Sequence, residues 1–123
     1  MNEEIKARWT ARLRSGQDVQ GKGFLNKNGK KCCLGVLCEL ACEAGACGKI
    51  VTDTDTSTYG YGGPDGEGYD AEVLPPCVPE WAGLSLFSAD PVVLVDGSRT
   101  GLSVLNDGDF TFGEIADIID AQL

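Results

Sequence analysis

The stretch Phe24-Leu25-Asn26-Lys27-Asn28-Gly29-Lys30-Lys31-Cys32-Cys33-Leu34-Gly35-Val36-Leu37-Cys38 decides the fold class, because its residue pattern changes from turn chemistry to helical spacing within a few positions. Asn28-Gly29 tolerates the positive φ of a tight turn, so residues 22–25 and 31–34 are expected to flank a short hairpin. Val36, Leu37, Leu40, Ala41 and Ala44 then trace an apolar stripe that Gly45 closes, which predicts a helix over residues 36–44. A hairpin running into a helix, in a chain with helices at both ends, reads as α+β. The expected architecture is a small antiparallel sheet with the N- and C-terminal helices packed on it.

Toward the N-terminus, Ile5, Trp9 and Leu13 recur every four residues and Gly16 supplies a stop, so residues 3–15 read as an amphipathic helix. Toward the C-terminus, Lys49-Ile50-Val51-Thr52 has strand character. Residues 53–72 read as a flexible acidic loop, with Gly60, Gly62, Gly63, Pro64, Gly66 and Gly68 set among Tyr59, Tyr61 and Tyr69. A loop this long inside a compact domain is functional or disordered. Pro75, Pro76 and Pro79 set up a short helix ending at Trp81-Ala82-Gly83-Leu84, and residues 91–95 form a strand that turns at Asp96-Gly97. Thr111-Phe112-Gly113-Glu114 matches a capping box, with Phe110 able to staple onto Ile115 and with Ile115, Ala116, Ile118, Ile119 and Leu123 as the buried face. No internal repeat is visible, so residues 1–123 form a single domain.

At 123 residues and 42% apolar composition the chain can bury a real core. No stretch approaches the apolar run of a membrane helix, so no membrane partner is expected. The charged N-terminus lacks the apolar run of an export signal, which makes the cytoplasm the expected compartment and the six cysteines thiols. Charge is uneven: residues 1–31 hold eight Lys/Arg and three Asp/Glu, net +5, whereas residues 32–123 carry −14. The acidic bulk would repel nucleic acid, so no direct nucleic-acid binding is expected. The basic patch of Arg8, Arg12, Arg14, Lys22, Lys27, Lys30 and Lys31 either meets a small anion or an acidic partner, or neutralises the acidic remainder within the fold.

The inventory of reactive groups is thin. With no histidine, Ser-His, Cys-His and two-His metal arrangements are excluded. Cys38, Cys42, Cys47 and Cys77 offer a zinc-like spacing, but the cysteines of the Cys32–Cys38 run lie among Leu34, Val36, Leu37 and Leu40 and read rather as small buried hydrophobes. Neither a metal nor another cofactor is assigned. Asn106-Asp107 and Asp109 could supply an acid and a base, or serve as ordinary turn and capping residues. Gln20-Gly21-Lys22-Gly23 places glycine amides beside a cation, as an anion site needs, or makes a tight approach to the hairpin. Trp9 and Trp81 read as core, and Tyr59 and Tyr61 as an exposed contact surface.

Six ordered blocks carry a resemblance. Trp9-x₃-Leu13-Arg14-Ser15-Gly16, Gln20-Gly21-Lys22-Gly23-Phe24-Leu25, Cys32-Cys33-Leu34-Gly35-Val36-Leu37-Cys38, Leu74-Pro75, Trp81-Ala82-Gly83-Leu84, and Leu105-Asn106-Asp107 followed by Phe112-Gly113-Glu114-Ile115-Ala116-Asp117-Ile118-Ile119 are similar to those of a family of small proteins encoded by tailed bacteriophages. Cys42, Cys47 and Cys77 lie outside the shared pattern. The resemblance implies a phage accessory protein that acts by binding a host component, either a defence protein or a small nucleotide signal. Arg14, Gln20, Lys22 and Tyr61 are the expected ligand contacts. A homo-oligomer is compatible with this reading. The alternatives are a carboxylate-dependent enzyme acting on a nucleotide or nucleic acid with a divalent ion at Asp107 and Asp109, a structural or zinc-stabilised module, and an acidic mimic of nucleic acid.

Overall fold

The computed structural model describes residues 1–65, 67–85 and 88–123; Gly66 of the expected loop lies outside the described residues. Helix α1 (Glu3–Arg14) starts at Asn2, whose side chain accepts from the Ile5 amide at 3.0 Å. Glu3 and Glu4 in its first turn and Arg12 and Arg14 in its last suit the helix dipole. It buries Trp9, Thr10 and Leu13, and the Trp9 indole donates to the Cys33 carbonyl at 2.9 Å.

Two-residue strands follow: β1 (Val19–Gln20), β2 (Asn26–Lys27) and β3 (Lys30–Lys31). The β2–β3 hairpin is tighter than expected, with Asn28 (φ 54°) and Gly29 (φ 76°) alone between the strands. This is the two-residue turn that an Asn-Gly pair favours. Helix α2 (Cys33–Glu43) begins three residues before the predicted Val36. Its N-cap is Cys32, whose Sγ accepts from the Gly35 amide at 3.4 Å. Here a thiol takes the place of the usual hydroxyl or carboxylate cap. Cys33 to Cys38 are all buried, and the central apolar cluster forms around this turn.

Strands β4 (Gly48–Asp53) and β5 (Thr58–Gly62) make the second hairpin of a five-stranded sheet ordered β1-β3-β2-β5-β4. One pair, β1 with β3, is parallel; the others are antiparallel. The Gly/Tyr-rich segment therefore contains a paired strand where the residue composition suggested a loop throughout. Its glycines serve close approach: a Cβ on Gly62 would stand 2.6 Å from the Glu67 carbonyl oxygen and 2.9 Å from the Tyr69 nitrogen. The chain folds back over β5, and Tyr61 and Asp70 exchange backbone hydrogen bonds at 2.9 Å.

Helix α3 (Cys77–Ala82) ends at Gly83 (φ 71°), and β6 (Val92–Val95) and β7 (Ser98–Gly101) form a separate two-stranded sheet around Asp96-Gly97. Helix α4 (Leu102–Asp107) has no counterpart among the sequence expectations. Its first turn is capped from a distance by Asp90, which accepts from both the amide (3.0 Å) and the hydroxyl of Ser103. Helix α5 (Phe112–Gln122) carries the full Thr111/Glu114 capping box. The terminal helices pack on each other, joined at the surface by Arg14 to Asp117 and Asp120, each at 2.8 Å. The α+β class stands as read from the sequence.

The expectation of six thiols is corrected: Cys47 and Cys77 form a disulfide across 30 residues, tying the approach to β4 to the first turn of α3, with Cα atoms 6.0 Å apart. Cys32, Cys33, Cys38 and Cys42 are thiols. Among the described residues no group of three or more His, Cys, Asp or Glu side chains is arranged to hold a metal ion. No helix is long and apolar enough to cross a membrane, again among the described residues.

Candidate functional site

The glycine-containing loop between β1 and β2 is held by Gln20 at its start and by two side chains of α4, Asn106 and Asp107. Gln20 donates through Nε2 to the Phe110 carbonyl at 2.8 Å and to Asn106 Oδ1 at 3.1 Å, while its Oε1 accepts from the Phe112 amide at 3.2 Å. Asn106, fully buried on α4, also accepts from the Cys33 amide at 3.0 Å and donates to the Gly21 carbonyl at 2.7 Å. Asp107 accepts from the Gly23 amide at 2.9 Å. The bonds to the Gly21 carbonyl and the Gly23 amide satisfy backbone groups of the short loop itself. The blocks containing Gln20, Cys33 and Asn106, far apart in sequence, thus meet at one polar junction.

Two clefts lie against this rigid loop. The first, about 220 Å³, is lined by Gly21, Lys22, Phe24, Lys27, Asn28 and Lys30. Gly21 is required there, since a Cβ would stand 2.7 Å from Lys30 Cβ. Lys27 Nζ sits over the Phe24 ring, 4.3 Å from its centroid. The second cleft, about 290 Å³, is lined by Gln20, Lys22, Gly108, Asp109, Phe110 and Thr111. Lys22 stands between the two.

Charge pairing separates these lysines from the other cations. Lys6, Arg8, Arg12, Arg14, Lys31 and Lys49 each make an ion pair, with the closest contacts between 2.7 and 3.2 Å. Among the described residues, Lys22, Lys27, Lys30 and Arg99 make none. Three of those four line a single cleft of a protein with net charge −9. Adjacent like charges without counter-ions raise the local potential for an anion.

The expected ligand contacts separate into two groups. Gln20 and Lys22 share the second cleft, although the Gln20 carboxamide is fully engaged in holding the loop. Arg14 instead bonds Asp117 and Asp120 on α5. Tyr61 is corrected from an exposed contact to a buried one: it is 0% exposed, its hydroxyl donating to Glu39 at 2.6 Å and accepting from Asn26 at 3.0 Å. Burial, followed by the Glu39 carboxylate, pushes its hydroxyl well above the usual phenol range. Lys27 and Lys30, which the sequence places in the basic patch but not among the four expected ligand contacts, line the cleft together with Phe24. The bracketing of Asn28-Gly29 by lysines was the signal that could have marked them.

The thiols are poor nucleophiles. Burial pushes Cys32 up to about 11 and holds Cys33 and Cys38 well above the usual thiol range, so these side chains stay protonated near neutrality. A profile for a family described as a domain of unknown function, DUF8296, matches residues 1–123. The chain belongs to the DUF8296 family. No curated protein and no solved structure matches it. In this DUF8296 chain the built features are therefore a rigid polar junction and the lysine-lined cleft beside it.

Proposed function

We propose that this is a bacteriophage accessory protein that binds a small anionic ligand of nucleotide type in the host cytoplasm without catalysing a reaction. One observation carries the binding reading: Lys22, Lys27 and Lys30, without ion-pair partners among the described residues, converge on one cleft whose loop is held rigid by Gln20 and Asn106. The phage origin is supported by the six sequence blocks alone. Asp107, a candidate acid or base, is engaged by the Gly23 amide, which favours a structural part for it over catalysis.

Calorimetry of the full chain against nucleotides, cyclic dinucleotides and cyclic ADP-ribose isomers tests the binding. Binding that weakens with salt, and by roughly tenfold on Lys22→Ala or Lys30→Ala, is the expected result, since a charge-assisted hydrogen bond contributes about 1.5–3 kcal/mol. Absence of heat with every anion rejects the reading. The cytoplasmic assignment has its own test, because a disulfide is rare in a reducing compartment. Denaturing the cells directly into an alkylating agent exposes the buried thiols: six blocked cysteines, with the Cys47–Cys77 pair reduced in the cell, are the result expected of a cytoplasmic protein, whereas four, with Cys47 and Cys77 protected, would place the protein in an oxidising space.

A further inference from the structure

The two clefts differ in chemistry and meet at Lys22. The first presents Lys22, Lys27 and Lys30 and no carboxylate, so it suits a phosphate. The second would reject one. Asp109 lines it, and at its far side the opening turn of α5 is already occupied: Glu114 accepts from the Thr111 amide at 3.0 Å, Thr111 accepts from the Glu114 amide at 3.2 Å, and the Phe112 amide is taken by Gln20. The Asp109 carboxylate has no hydrogen-bond or ion-pair partner among the described residues. An unengaged carboxylate beside the half-buried Phe110 ring suits a neutral group that offers hydroxyl or amino donors together with a flat apolar face.

We propose that the two clefts form one bipartite site for a nucleoside phosphate, with the phosphate among Lys22, Lys27 and Lys30 and the ribose and base between Asp109 and Phe110. The inference rests on the anion-binding reading above. Either cleft alone falls below the ~300 Å³ at which small-molecule sites begin, whereas the two together fall within the usual range. The ribose diol or a base amino group donates to Asp109, and Lys22 bridges the phosphate to the sugar. Lys27 has two available positions, over Phe24 as in the structure or on the phosphate.

Titration of the full chain with pyrophosphate, ribose 5-phosphate and the four ribonucleoside 5′-phosphates tests this. At least one nucleotide is expected to bind roughly tenfold or more tightly than pyrophosphate and ribose 5-phosphate, the step that one further charge-assisted hydrogen bond contributes. Asp109→Asn, at an exposed position, is expected to weaken the nucleotide and leave pyrophosphate unchanged, while Lys27→Met weakens both. If pyrophosphate binds but no nucleotide binds more tightly, or if ribose 5-phosphate equals the nucleotides, or if Asp109→Asn changes nothing, the bipartite site is overturned and the anion reading survives. If pyrophosphate and every nucleotide fail to bind, both fall together.

Discussion

The two hairpins of lowest complexity share one turn and little else. Asn28-Gly29 and Asp96-Gly97 adopt nearly the same backbone, with φ of 54° and 76° in the first and 52° and 79° in the second. The first is built into the five-stranded sheet between β1 and β5 and lies against α2. The second stands as an isolated pair, with Val92 and Leu94 exposed. Lysines flank the first turn and converge on a cleft; Arg99 beside the second is a lone cation against Val92, Val93, Leu94 and Gln122. Closely similar backbone geometry thus makes a turn in both places, but only beside the first do several cations without ion-pair partners among the described residues gather in one cleft.

The comparison breaks most violently at Gly35. A Cβ there would overlap the Leu25 carbonyl, which is backbone and has nowhere to move. Gly35→Ala is expected to cost about 3 kcal/mol or more, with the β2–β3 hairpin detached from α2, as read by urea denaturation and loss of β2 amide protection. An equivalent Gly101→Ala in the second hairpin meets the Asp90 side chain rather than backbone, so it should disturb the α4 cap yet be milder; equal losses would deny the difference in embedding. Next in size is Asn106→Ala. It strands the buried Cys33 amide and the Gly21 carbonyl, for an expected loss of about 2–4 kcal/mol. A change below ~1 kcal/mol would mean that the junction does not organise the loop.

Acid gives the smallest and most selective effect. Burial favours the neutral Asp18 carboxyl, but hydrogen bonds and charge from Arg12 and Lys31 outweigh it and hold the group below the usual carboxylate range. A group depressed in the folded state stabilises above its unfolded value near 3.9 and loses that contribution as pH falls through its folded value. Protection of the β3 amides, measured against their intrinsic exchange rate at each pH and anchored by the Lys31–Asp18 pair at 3.2 Å, is therefore expected to fall below about pH 4 before that of β6–β7. In Asp18→Asn the two hairpins should respond alike; a persisting difference would assign the acid sensitivity elsewhere.

The features legible in the sequence were those whose signals are local. Helix α1, the two X-Gly turns and the capping box of α5 depend on residues within four positions of one another, and the structure has them where the pattern predicts. Helix α4 was not legible because its cap, Asp90, lies 13 residues before Ser103. The start of α2 was misplaced because a cysteine does the capping. Tyr61 looked exposed because its flanking glycines read as flexibility, whereas Gly62 is there to admit the Glu67–Tyr69 backbone. At the candidate site, Lys22 was legible from its glycines. Arg14 was not, because its carboxylate partners stand more than a hundred residues away on α5.

The last turn of α5 has a consequence for how molecules of this protein meet. Gln122 Oε1 accepts from the Leu94 amide and its Nε2 donates to the Leu94 carbonyl, both at 2.7 Å, so a single carboxamide stands where a neighbouring strand would lie. Uncovered, that rim would present an apolar, hydrogen-bonding template to any passing chain. Gln122 thus closes the edge of β6 at Leu94, pairing within the chain the two backbone groups that an added strand would need there.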